Sequence, residues 1–128
     1  MVTSVTNFGR SGLSDWLVQR ITGVILLAYT VVIAVVLLFC SPEYAQWKDL
    51  FDQTWMKAFT LAAVLSVASH AWIGLWCVST DYLVPYVLTV KFGPAAGAQA
   101  NLLRWLFQAA SAIVLFTYIV WGIQILWG

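Results

Sequence analysis

Charge is what this sequence has least of. Only 9% of its 128 residues are charged, six Lys/Arg against five Asp/Glu, where a soluble domain carries about 25%. So few ionic groups cannot cover a water-facing surface of this size, which excludes a soluble enzyme. The formal net charge is +1, and no Lys/Arg cluster supplies the basic field that nucleic acid requires, so no nucleic-acid partner is expected. Cys40 and Cys77 are the two cysteines and no CxxC occurs, which leaves neither a zinc nor a thioredoxin-type motif. Histidine occurs once, at position 70. In their place stand 62% hydrophobic and 16% aromatic residues, with eight Trp. Trp and Tyr gather where a membrane meets water.

The positions of the few charges set the class. No Asp, Glu, Lys or Arg occurs from Ile21 to Pro42, from Ala58 to Thr80, or from Trp105 to Gly128. Each run exceeds the roughly 20 residues that cross about 30 Å of hydrocarbon at ~1.5 Å per residue. Backbone amides in lipid must be satisfied within their own segment, so each run is read as a helix. The expected fold is an all-α membrane protein, a single anchor domain over 1–128. It comprises an N-terminal tail (1–20) and transmembrane helices at about 21–41, 57–81 and 104–127. The tail has no apolar region before Ile21, and the first apolar run lacks a small-x-small ending. It reads as a retained helix rather than a cleaved signal.

Arg10, Arg20, Lys91 and Arg104 fall on one side of this layout, Lys48 and Lys57 on the other. The positive-inside rule then places the N-terminus in the cytoplasm and the C-terminus outside. In this orientation Cys40 and Cys77 lie near opposite faces, some 25 Å apart by helical rise. That is far beyond disulfide reach, and both are expected to be packing residues. Ser41-Pro42 stops the first helix, because a residue before proline disfavours helical backbone. The connection from Asp81 to Arg104 contains Pro85, Gly93-Pro94 and Gly97. Its apolar stretch Leu83–Phe92 suits the membrane surface. Trp16, Trp47, Trp55, Trp105 and Trp127 fall near the expected helix ends as interfacial anchors.

His70 lies midway along the second span. An ionisable group there is costly and ordinarily faces protein, a cavity or a cofactor. A hydrogen bond between helices is one reading. Metal ligation is the other, since neutral imidazole is the commonest metal-ligating side chain. Helical spacing puts Ala63, Ser66 or Val67, His70, Gly74, Cys77 and Asp81 on one face. Such a small-sided stripe suits close helix packing and equally leaves room for a flat macrocycle held through the imidazole, as in haem ligation. Ser66 and Ser69 are both candidates to orient the ring. One histidine cannot supply both axial ligands, so the haem reading requires a second protein chain. Asp81 follows after about 1100° of helix and ~16 Å of rise, back on the histidine face if the helix continues so far. Beside it, the Tyr82 phenol both donates and accepts hydrogen bonds. Together they suit a carbonyl ligand undergoing proton-coupled reduction, or simply a helix-ending Asp and an interfacial Tyr.

The segment His70-Ala-Trp-Ile-Gly-Leu-Trp-Cys-Val-Ser-Thr-Asp81-Tyr82 resembles the signature of the hydrophobic membrane-anchor subunits of bacterial succinate dehydrogenase, respiratory complex II. Gly9-Arg10, Gly12, Asp15 and Arg20 ahead of the first span resemble the same family. The likeness is specific over Phe8–Arg20 and His70–Tyr82, and only general in the first and third spans. It implies three helices packed against three from a sister anchor, in a heterodimeric bundle holding one haem b. On this resemblance His70 aligns with the axial haem ligand, the opposite ligand being a histidine of the sister anchor. Tyr82 aligns with the residue that hydrogen-bonds a ubiquinone carbonyl, and Asp81 with its acidic neighbour. Arg20, at the start of the first span, is a candidate haem-propionate contact, with interfacial snorkelling the alternative. The flavoprotein and iron–sulfur subunits would dock on the cytoplasmic face of the bacterial inner membrane. Electrons from succinate, oxidised in another subunit, would reach quinone there, and this chain would hold no catalytic residue of its own. The stretch Gly93-Pro94-Ala-Ala-Gly97 departs from the family pattern as an apparent insertion. A fumarate reductase anchor is the nearest alternative. A small transporter or proton channel with His70 as relay is the rival of another class, but it wants a second ionisable group deep in a helix.

Overall fold

The computed structural model describes residues 12–128, and every described segment of regular structure is helical. Phe8, Gly9 and Arg10 of the tail pattern lie outside the described residues. Helix α1 (Gly12–Val35) runs on into a π-helical turn, Val36–Cys40. Ser41 then turns left-handed at φ 39° and Pro42 ends the run, the stop read from the sequence. A short α2 (Tyr44–Asp52) follows, closed at its start by a reciprocal capping box between Glu43 and Gln46. Helix α3 (Thr54–Tyr82) returns across the span, and α6 (Ala100–Trp127) crosses once more. Among the described residues, three helices are therefore long and apolar enough to cross a membrane.

Each span is longer than its charge-free core. The part of the tail from Gly12 to Arg20 is helical rather than irregular, with Asp15 in the first turn, where a carboxylate favours the positive end of the helix dipole. The connection after Tyr82 also folds, into α4 (Pro85–Phe92) and α5 (Pro94–Ala98). Each starts with proline in its first turn, where the missing N–H costs nothing. Gly93 joins them at φ 100°, a conformation that disfavours side chains. A Cβ on Gly97 would collide with the Thr89 side chain and come within 2.9 Å of the Pro85 carbonyl oxygen. Glycine at 97 is what lets α5 fold back on α4.

The spans form an open row, because α3 packs against both α1 and α6, which scarcely meet. Accordingly α3 buries 28% of its most apolar stretch, α6 6% and α1 none. On the α1 side, Tyr29 Oη lies 3.0 Å from Thr60 Oγ1, and its ring meets Phe59 edge-on at 5.1 Å. On the α6 side, Gln108 Nε2 donates to Ser79 Oγ at 2.9 Å, and Ser79 is fully buried. Further along, a Cβ on Gly122 would stand 3.2 Å from Val64, so these helices approach closely there. Among the described residues neither cysteine is packed: Cys40 and Cys77 are both free and exposed, since each sits on a helix face that the described residues leave uncovered.

Candidate functional site

The site begins with two helices crossing at one polar contact. Thr22 Oγ1 lies 2.6 Å from the Val18 carbonyl oxygen and 3.2 Å from that of Gln19. Its single proton therefore points back into its own helix. A hydroxyl oxygen committed in that way can only accept on its other side, and there His70 Nδ1 stands at 3.2 Å. The hydrogen-bond logic puts the proton on Nδ1 and leaves Nε2 with its lone pair. Among the described residues Nε2 has no hydrogen-bond partner. The ring is thus oriented from α1 by Thr22, not from its own helix by Ser66 or Ser69.

Beside this contact lies a recess of about 400 Å³ between α1 and α3, lined by Asp15, Trp16, Gln19, Arg20, His70, Ile73 and Cys77. Sequence reasoning ties Arg20 to His70 only through the haem that the resemblance implies. The structure brings them to one hollow. The Arg20 guanidinium lies over the Trp16 ring at 5.3 Å, a cation–π contact one helical turn long. The carboxamide oxygen of Gln19 is buried with no hydrogen-bond partner, an acceptor for which the described chain supplies no donor. A methyl added at Gly74, one turn beyond His70, would meet nothing within 4 Å, so that face of α3 is open beside the imidazole.

Asp81 and Tyr82 are not in this recess. Helix α3 does continue through both, and Asp81 returns to the histidine face, but the hollow stops at Cys77. Both residues are exposed at the helix end, Tyr82 by 61%. Thr22, Trp16 and Gln19 are the site residues that sequence reasoning missed. One signal was present: Asp15, Thr22 and Tyr29 recur every seventh residue. That interval keeps polar groups on one helix face.

Comparison with known proteins decides the family. A family model described as the succinate dehydrogenase/fumarate reductase transmembrane subunit matches residues 4–98. The chain belongs to this family. It is also 38% identical over 124 residues to the succinate dehydrogenase hydrophobic membrane anchor subunit of Coxiella burnetii (strain RSA 493 / Nine Mile phase I), covering 96% of this chain and 95% of that one. The resemblance drawn from His70–Tyr82 therefore holds at the level of the family. An anchor of this family is compatible with a b-type haem, and the residues here fit one. The imidazole offers a lone pair on Nε2, its tautomer is held by Thr22, open space flanks it at Gly74, and a guanidinium lines the same hollow.

Proposed function

We propose that this anchor is one half of the membrane part of a succinate:ubiquinone oxidoreductase, with His70 as an axial ligand of a haem b shared with a sister anchor. The carrying observation is the mid-span imidazole whose Nδ1 is bound to Thr22 while Nε2 has no partner. Haem supplies one-electron transfer when bound. The chain's own part is to hold it: His70 through Nε2, Thr22 by fixing the ring, and Arg20 as the cation nearest for a propionate. By accepting from Nδ1–H, Thr22 selects the neutral tautomer whose lone pair is on Nε2, the atom that ligation requires.

Quinone chemistry falls to the end of α3. Tyr82 donates its phenolic hydrogen to a ubiquinone carbonyl and polarises it, and Asp81 with boundary water supplies the protons that reduction to quinol consumes. The exposure of both side chains supports this, because a site shared with other subunits is unfilled in one chain. In this proposal the single anchor domain has a cytoplasmic N-terminus in the bacterial inner membrane. The iron–sulfur and flavoprotein subunits sit above Tyr82. Fumarate reduction is the same chemistry reversed, and the succinate dehydrogenase name of the Coxiella relative favours the forward direction.

The test is His70→Ala in the complex coexpressed with its partner subunits. The reduced-minus-oxidised absorption spectrum should lose its b-type bands while the complex still assembles in the membrane. An unaltered spectrum would remove His70 from the coordination sphere.

A further inference from the structure

The far end of the molecule holds a second recess, which the proposed electron-transfer function does not use. Helix α2 folds against the start of α3 near the end of α6 and leaves a hollow of about 510 Å³, within the range of small-ligand sites, about 300–1,000 Å³. Its charged side chains are Lys48, Asp52 and Lys57, and Tyr44 and Gly128 also line it. No ion pair joins these three groups to one another or to any other described residue. Lys57 Nζ does stand 6.0 Å from the Trp127 ring. The wall beside them is aromatic, with Trp47 and Phe51 in contact at 4.9 Å between centroids.

Position narrows the ligand. Lys57 is in the first turn of α3 and Trp127 in the last turn of α6, so the hollow lies at a membrane–water boundary, where headgroups sit. Below it the outer face of α6 is apolar and exposed, Trp121 by 65% and Ile125 by 70%. A molecule with its polar end in the hollow has a hydrocarbon path directly beneath. Charges of both signs, left unpaired side by side, match a headgroup that carries both signs itself. We infer that the recess formed by Lys48, Asp52, Lys57 and the Trp47–Phe51 pair binds the headgroup of a phospholipid bearing a phosphodiester and a primary ammonium, as in phosphatidylethanolamine. Lys48 and Lys57 take the phosphodiester. Asp52 takes the ammonium, which the aromatic pair also attracts. A purely anionic headgroup leaves Asp52 facing a phosphate with nothing to pair with, and a choline headgroup offers it no N–H donor.

The experiment uses the complete complex reconstituted in nanodiscs of equal parts phosphatidylethanolamine, phosphatidylglycerol and phosphatidylcholine, then delipidated and analysed by native mass spectrometry. Wild type should retain phosphatidylethanolamine at least fivefold over either of the others. Lys48→Gln/Lys57→Gln should lose all retained lipid at this site, and Lys48→Arg/Lys57→Arg should keep it. Asp52→Asn should bring phosphatidylglycerol up to parity. A haem spectrum identical to wild type in each variant separates this site from the reading of His70, which stands or falls on its own test. Equal retention in wild type and the Gln variant overturns the inference. So does preference for phosphatidylglycerol in wild type, or no retained lipid at all, which would mean that another protein chain covers the hollow. If the Gln variant fails to assemble, the Asp52→Asn selectivity decides.

Discussion

Replacing Thr22 with valine removes one hydroxyl and leaves a side chain of similar shape on α1. Its structural consequence is specific: His70 Nδ1–H loses the acceptor 3.2 Å away. The net worth of such a bond is about 0.5–1.5 kcal/mol. Losing the partner of a metal-ligating histidine typically costs about 10- to 100-fold in affinity. A donated hydrogen bond makes the imidazole a stronger electron donor, which favours the oxidised metal, so its loss raises the potential. If most of the bond's worth depends on oxidation state, the midpoint potential of the haem rises by about 20–60 mV at ~59 mV per tenfold for one electron. The assay is a spectroscopic redox titration of the purified complex, with haem counted per complex. Thr22→Ser keeps the hydroxyl and should titrate within about 10 mV of wild type. An unshifted midpoint with full haem content in Thr22→Val would refute the claim that α1 sets the tautomer and orientation of the ligand.

Three further experiments probe other parts of the chain. Tyr82→Phe should lower quinone reduction at least tenfold while succinate oxidation by a soluble dye persists, and equal losses in both assays would point to misassembly instead. Gly97→Val puts a side chain against Thr89 and the Pro85 carbonyl. It should cost about 1–3 kcal/mol, read as faster proteolysis between positions 85 and 98 of the assembled complex, and unchanged cleavage would contradict the tight α4–α5 fold. A double-mutant cycle on Ser79→Ala and Gln108→Leu should give a coupling of about 0.6–1.7 kcal/mol for a polar pair between spans. Additivity would show that the 2.9 Å contact does not tie α3 to α6.

The spans were legible because nothing else explains three charge-free runs in so short a chain. Their ends were not, since a helix once started continues into polar sequence wherever propensity permits: α1 reaches back to Gly12. The α4–α5 pair was half legible. Pro85, Gly93-Pro94 and Gly97 were visible as breaks, but a proline that begins a helix and one that interrupts a loop look alike until the backbone turns. His70 stood out as the lone histidine in an apolar span. Its partner did not, because the register between two helices is set by packing over their whole length. Stepping along α3 finds Ser66 and Ser69, and no stepping along one helix finds Thr22 on another.

The open row of spans bears on how such a chain works. A cofactor ligand needs two things: a fixed ring and an accessible lone pair. A closed bundle of three helices would give His70 the first and deny it the second. Here α1 fixes the ring through Thr22, while the face carrying Gly74 and Cys77 is left uncovered. Meanwhile α6 binds the opposite flank of α3 through Gln108 and the close approach at Gly122. Holding α3 from two sides keeps the imidazole still without filling the space beside it. The same geometry explains why so much apolar surface is left over. Helices in lipid gain little from hiding hydrocarbon from one another, so an uncovered face costs this chain little on its own. That face is therefore free for whatever would complete the ligand sphere proposed for His70.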